Sequence, residues 1–150
     1  MVISDSSLIE RMSHEALRMT SPVMHMRRTA TRDTEIAGQK IAEDEKVIMW
    51  YGAANRDPAV FPNPDVFDMT RKNVEKHVAF GHGVHRCLGN RIAQMQLNMA
   101  YERILDRFPN IHWTGKQKIE PIILVHAISS LKVNLYGKGA KRPTQVAVPR

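Results

Sequence analysis

The chain has 150 residues, a formal net charge of +7 and a hydrophobic fraction of 43%, values that indicate one globular domain and exclude a disordered or fibrous chain. Its single cysteine excludes an internal disulfide and is typical of a reducing compartment, and no apolar stretch has the ~20 residues of a membrane span or the pattern of a signal peptide. We therefore expect a cytoplasmic protein without a membrane span, and its scattered basic residues accompany no nucleic-acid-binding motif.

The first third of the chain is predicted to contain one helix followed by short extended segments. Apolar residues at helical spacing predict a helix over residues 7–19, which ends before Pro22. Residues 23–29 are expected to be extended, and residues 33–50 to form strands and turns around Gly38. The apolar run at 47–51 predicts a buried strand or the start of a buried helix, and a short helix is expected over 53–56.

The remainder is predicted to contain an irregular segment, a long helix and a hairpin. Pro62 and Pro64 favour a loop over 61–68 that continues to about residue 78. Apolar residues spaced four, three and four apart predict a helix over 88–108, whose two apolar sides suggest burial between other elements. Strands are predicted over 122–125 and 131–135 with a turn at 127–130, followed by a flexible polar tail over 137–150.

The most specific motif lies directly before the long helix, where residues 80–89 read FGHGVHRCLG. Unpaired N–H groups at a helix start favour the thiolate form that Cys87 needs to bind a metal. Gly81 permits a tight turn with positive φ, and Gly89 leaves room for a flat cofactor to approach the helix. His85 can bind an acidic cofactor edge, and Phe80 can shield the sulfur from water.

Two other interpretations of this motif have less support. A lone cysteine is most often a small buried hydrophobe, but six specified positions in F-G-x-G-x-H-x-C-x-G make a chance match very rare. A zinc site near His82 and His85 would require more ligands than one cysteine and a glycine-rich turn supply.

The motif resembles the cysteine loop of the cytochrome P450 family, and the similarity extends over about residues 6–136. It implies an α+β, mainly helical fold, in which residues 1–136 are a partial domain corresponding to the C-terminal third of the P450 fold. The expected parts are an E-x-x-R helix, small strands, an irregular meander, the cysteine loop, a long helix and a C-terminal hairpin. The implied cofactor is haem b, with the Cys87 thiolate as the axial ligand of its iron.

The resemblance also assigns roles to residues outside the loop. Glu15 and Arg18 match E-x-x-R, and with Arg71 they are expected to form a buried charged triad that locks the irregular segment beneath the loop. Arg28, with Arg27 as the alternative, is expected to bind a haem propionate. No residue of this chain is expected to be catalytic, because the family's distal helix with its proton-delivering pair has no counterpart here.

The implied function is that of the proximal, haem-binding part of a haem-thiolate monooxygenase, which inserts one oxygen atom of O2 into a C–H bond of an apolar substrate such as an alkane, fatty acid or terpene. Segments 25–30 and 47–51 are similar to bacterial terminal hydroxylases of alkanes and fatty acids, which implies a ferredoxin and a ferredoxin reductase as partners. One alternative is a truncated, non-catalytic haem-binding remnant. The other is a small basic interaction domain whose cysteine is merely buried.

Overall fold

A computed structural model describes residue 5 and residues 7–137 of the chain. Most of the predicted tail, residues 138–150, lies outside the described residues. Among the described residues, no helix is long and apolar enough to cross a membrane. The elements in chain order are α1 (Leu8–Thr20), β1 (His25–Thr29), β2 (Thr34–Ile36), β3 (Gln39–Ile41), β4 (Lys46–Trp50), α2 (Tyr51–Ala54), two 3-10 turns (Val74–Lys76 and Gly83–His85), α3 (Asn90–Arg107), β5 (His112–Glu120) and β6 (Ala127–Asn134).

Helix α1 lies at the centre of the packing, and its predicted range is confirmed to within one residue at each end. One face of α1 buries Ile9, Ser13 and the E-x-x-R pair. The helix ends at Ser21, which has a left-handed φ of 40° and donates its N–H to the Leu17 carbonyl at 2.9 Å. The Ser13 hydroxyl donates to Asn98 Oδ1 at 2.6 Å and thereby joins α1 to α3.

The strands form three antiparallel pairs: β1 with β4, β2 with β3, and β5 with β6. The turn predicted at Gly38 joins β2 to β3, and Gly38 has a φ of +83°. The prediction of a buried strand at 47–51 is wrong, because β4 alternates exposed and half-buried residues in a two-stranded sheet. Tyr51, where α2 begins, is the first buried residue after Ser21.

The C-terminal hairpin differs from its prediction. Residues 112–120 form its first strand, whereas the predicted strand at 122–125 is a connection in which only Val125 forms a bridge, with Val23. The predicted turn at 127–130 belongs to β6, where Ala127 pairs with Glu120. Strand β5 is mostly exposed and polar, so it carries no alternating apolar pattern from which the sequence could predict it.

Helix α3 forms nearly over its predicted range, but the expectation that it is buried between other elements is wrong for the described part of the chain. None of its residues is buried. Helix α1 contacts one side of α3 through residues such as Asn98, and no described residue covers the other side. The exposed residues of that side form an apolar stripe consisting of Leu88, Ile92, Met95 and Met99.

Candidate functional site

A buried ion network lies beneath the irregular segment and forms the predicted triad. Arg18 donates from Nε and Nη2 to the two carboxylate oxygens of Glu15, each at 2.8 Å, and both residues are fully buried. Arg71 Nε lies 3.4 Å from Glu15 Oε1. The amide of Asp68 donates to the same oxygen at 2.9 Å. The contacts predicted for Glu15, Arg18 and Arg71 are therefore confirmed.

The two arginines of the triad also bind main-chain carbonyls, one at the end of α2 and one in the irregular segment. Arg18 Nη1 donates to the Asn55 carbonyl at 2.8 Å, and Arg71 Nη1 donates to the Pro62 carbonyl at 2.6 Å. A segment without helix or strand has unpaired carbonyls, and buried carbonyls need donors from elsewhere. The guanidinium groups supply these donors, so the triad replaces secondary structure as the support of this segment.

The charge state of Glu15 follows from these contacts. Burial raises the pKa of the carboxyl group, but the hydrogen bonds from Arg18 and from the Asp68 amide, together with the positive charges of Arg18 and Arg71, outweigh burial. The net pKa of Glu15 therefore lies below its usual value, and the carboxylate stays ionised between the two arginines.

A buried histidine links α1 to the segment that enters the cysteine loop. The Ala79 amide donates to His77 Nδ1 at 3.2 Å, so neutral His77 carries its proton on Nε2, which lies 3.2 Å from His14 Nδ1. Burial, followed by the positive charges of His14 and Arg86, lowers the pKa of His77 to about 4. No sequence pattern indicated this pair, because the two histidines are far apart in the chain and belong to no motif.

The cysteine loop is shaped by its glycines and by main-chain hydrogen bonds. Gly81 and Gly83 have φ angles of +73° and +70°, which side-chain-bearing residues rarely adopt. The amide of Cys87 donates to the Phe80 carbonyl at 2.8 Å and closes the loop. Cys87 is a free, exposed thiol three residues before α3 begins at Asn90. A Cβ atom at Gly89 would lie 3.9 Å from Cys87 Sγ, so Gly89 adjoins the sulfur.

An apolar cavity of about 490 Å³ opens in front of this loop and has Cys87 in its wall. Five of the six residues predicted for a cofactor site line it: Arg28, Phe80, Gly81, His85 and Cys87. The other lining residues are Leu17, Pro22, Val23, Met26, Tyr51 and Ala79. The sixth predicted residue, Gly89, is not in the lining. Tyr51 lies in the segment 47–51 but was not predicted to be a cofactor-binding residue.

The alternation of side chains along β1 distinguishes between the two candidate arginines. Met26 and Arg28 line the cavity, and Arg28 is half-buried. Arg27 lies between them in the strand, is exposed and does not line the cavity. Successive side chains of a strand point to opposite faces, so the geometry favours Arg28 over Arg27.

Comparison with known sequences identifies the family. The family model described as Cytochrome P450 matches residues 3–133. The chain belongs to the cytochrome P450 family. This P450 chain is 42% identical over 131 residues to a linalool 8-monooxygenase of Pseudomonas putida. The aligned region covers 87% of the chain and 32% of that relative. It is 40% identical over 116 residues to cytochrome P450-terp of a Pseudomonas species, and this aligned region covers 77% of the chain and 27% of the relative.

Solved structures of P450s confirm the predicted fold class, an α+β fold that corresponds to part of the P450 domain. Cytochrome P450-153 from Novosphingobium aromaticivorans has a TM-score of 0.82 at 42% identity and covers 88% of this chain and 33% of that one. P450BioI has a TM-score of 0.85 at 37% identity and covers 89% and 35%. The chain therefore spans about a third of the length of the relatives it matches.

The P450 family consists of monooxygenases whose cofactor is haem b ligated by a cysteine thiolate. The residues of the cavity fit such a group. The free thiol of Cys87 lies in the wall, Arg28 and His85 can bind carboxylate groups, and most of the remaining lining is apolar. A flat apolar macrocycle with an acidic edge requires this combination of a soft ligand, an apolar surface and cationic donors.

Proposed function

We propose that the described residues form the proximal part of a haem-thiolate monooxygenase site, with Cys87 as the axial ligand of the iron. The observation that carries the proposal is that Cys87, Arg28 and His85, from two separate regions of the chain, line one apolar cavity. When bound, haem would supply the activation of O2, of which one atom would enter a substrate C–H bond and the other would leave as water with two electrons from a redox partner and two protons.

The residues of this chain bind, orient and shield the cofactor. Cys87 supplies a thiolate sulfur, and the hydrogen bond from its amide to the Phe80 carbonyl closes the loop. Arg28 and His85 bind the propionate groups at the cofactor edge. Phe80 and Cys87 both line the cavity, and the ring of Phe80 excludes water from the sulfur. Gly89 keeps the start of α3 free of a side chain beside the sulfur, and Gly81 keeps the loop free of a side chain beside Tyr51 and His85.

For the substrate we propose an apolar molecule such as a terpene, fatty acid or alkane. A linalool 8-monooxygenase is among the relatives, and the name describes oxidation of a terpene alcohol. P450BioI was solved with a fatty acid attached to acyl carrier protein. The apolar lining contributed by Leu17, Val23 and Met26 is compatible with this class.

We propose a ferredoxin, reduced by a ferredoxin reductase, as the electron donor. Four exposed basic residues lie near the cysteine loop: Lys72, Lys76, Arg86 and Arg91. A positive surface attracts an acidic partner at long range and raises the association rate. In a complete enzyme, reversing these charges is expected to slow electron transfer at low salt, and an unchanged rate would contradict the docking proposal.

The decisive experiment is the reduced-plus-CO difference spectrum of the purified chain after reconstitution with haem. We expect a Soret band at the thiolate-ligated position, which Cys87→Ala abolishes. Val84→Ala is the matched control, because Val84 lies in the same loop and is 98% exposed, so this variant should retain the band. A band at the imidazole or free-haem position in the wild type would contradict Cys87 ligation.

A haem-binding remnant without monooxygenase activity is the second candidate, because the lining formed by Cys87, Arg28 and His85 accounts for cofactor binding alone. Both candidates predict the thiolate spectrum. Only the monooxygenase predicts hydroxylated product when an apolar substrate, ferredoxin, ferredoxin reductase and reduced nicotinamide cofactor are supplied. Formation of product at the rate of a no-protein control would favour the remnant.

A further inference from the structure

A second cavity, of about 460 Å³, lies beside the one that contains Cys87. Three side chains line both cavities: Arg28, Tyr51 and His85. They belong to separate parts of the chain, since Arg28 is in β1, Tyr51 begins α2 and His85 ends the 3-10 turn of the cysteine loop. Two of the three, Arg28 and His85, are the residues proposed to hold an acidic edge, so Tyr51 lies in the same wall as this carboxylate-binding pair.

Tyr51 is held firmly but its hydroxyl group is unused. Its amide donates to the Met24 carbonyl at 2.9 Å, and only 9% of its surface is exposed. Among the described residues, none forms a hydrogen bond with the phenolic oxygen. The oxygen itself is not fully buried, so it is open to the cavities that Tyr51 lines. A phenylalanine would fill the same volume, so packing alone does not account for a hydroxyl at this position.

The position of the hydroxyl group is known from its distance to the cysteine loop. A Cβ atom built on Gly81 would lie 3.3 Å from the Tyr51 oxygen and 3.5 Å from the His85 carbonyl. The absence of a side chain at Gly81 therefore lets the phenol approach the loop next to His85. Tyr51 lines both cavities, and its hydroxyl group, beside Gly81, is available to a ligand there.

We propose that Tyr51 is a third cofactor-binding residue, which donates its phenolic O–H to a carboxylate group that Arg28 and His85 bind. This inference rests on the proposed function, because the carboxylate belongs to the haem. A neutral donor adds a hydrogen bond to the anion without adding charge, and it leaves Arg28 and His85 free for the other oxygens. Hydrogen bonds to charged groups are about twice as strong as neutral ones.

The test uses the Tyr51→Phe variant of the full chain reconstituted with haem, and Tyr101→Phe as the matched control. Tyr101 lies in α3 and lines neither cavity. The measurement is the rate at which ferric haem transfers to excess apomyoglobin. Loss of one charge-assisted hydrogen bond is expected to raise this rate about tenfold or more in Tyr51→Phe, with no change in Tyr101→Phe.

A second measurement separates hydrogen bonding from a purely structural effect. Haem dimethyl ester has no carboxylate groups, so Tyr51→Phe should release the ester at nearly the wild-type rate. Equal release of ordinary haem by the wild type and Tyr51→Phe would overturn the inference, as would an equal acceleration with the ester. Failure of the wild type to take up haem would overturn both this inference and the proposed function, whereas uptake through Cys87 with no effect of Tyr51→Phe would overturn this inference alone.

Discussion

The Glu15→Gln substitution removes the one negative charge between two buried arginines and nearly preserves the shape of the side chain. In the wild type, Glu15 accepts two hydrogen bonds from Arg18 at 2.8 Å, one from the Asp68 amide and a longer one from Arg71. An amide has one acceptor oxygen, and its NH2 group faces a donor of Arg18. The variant therefore leaves a fully buried guanidinium without an anion.

The expected loss follows from this geometry. Removal of one partner from a buried ion pair costs about 3–5 kcal/mol. This is a large part of the free energy of unfolding of a typical domain, which is about 5–15 kcal/mol. With an m value of about 1.5 kcal/mol/M, the urea midpoint should fall by about 2 M or more. Because the pKa of Glu15 is lowered, its contribution is present above about pH 4.5 and is lost as the pH falls below that value.

The assay is urea unfolding at neutral pH, followed by far-UV circular dichroism. Asp65→Asn is the matched control, because it makes the same chemical change in an ion pair with Arg56 at 3.2 Å in which the Asp65 side chain is 82% exposed. Exposed pairs contribute about 0–1 kcal/mol. A loss in Glu15→Gln no larger than the loss in Asp65→Asn would refute the assignment of the triad as the support of the irregular segment.

Three further predictions follow from the same structure. The pKa of His77 falls from 6.5 to about 4 on folding, so the unfolded state binds the proton first as the pH is lowered. The free energy of unfolding should therefore drop by up to about 3 kcal/mol between these two pH values. The His77→Asn variant should remove this pH dependence of the urea midpoint, and a variant that retains it would contradict the assignment. Gly81→Ala should lower the free energy of unfolding by about 1–2 kcal/mol because of its left-handed φ, and further because the new Cβ lies close to Tyr51. Gly38 has a similar φ but open space around it, so Gly38→Ala should show only the loss due to φ. Equal losses of stability in the two variants would exclude the contact with Tyr51. Met95→Glu, on the exposed stripe of α3, should change the free energy of unfolding by less than about 0.5 kcal/mol, and a loss of several kcal/mol would mean that this face is buried.

The sequence by itself determined the features that depend on neighbouring residues. Helix α1 follows from its apolar periodicity, and the i, i+3 spacing of Glu15 and Arg18 puts both on one face of that helix. The turns at Gly81 and Gly83 follow from glycine's freedom to adopt positive φ. The run around Cys87 is specific enough to indicate the family without any knowledge of the fold.

Only the tertiary structure decided which remote residues meet. Arg28, Tyr51 and His85 share one wall, and His77 contacts His14, because the irregular segment follows a path set by the triad and not by any periodic pattern. The sequence also did not predict burial correctly. Strand β4 and helix α3 are apolar enough to be buried, but their exposure depends on which elements lie against them. Local chemistry therefore predicted the thiolate ligand, whereas the carboxylate-binding wall around it required the folded chain.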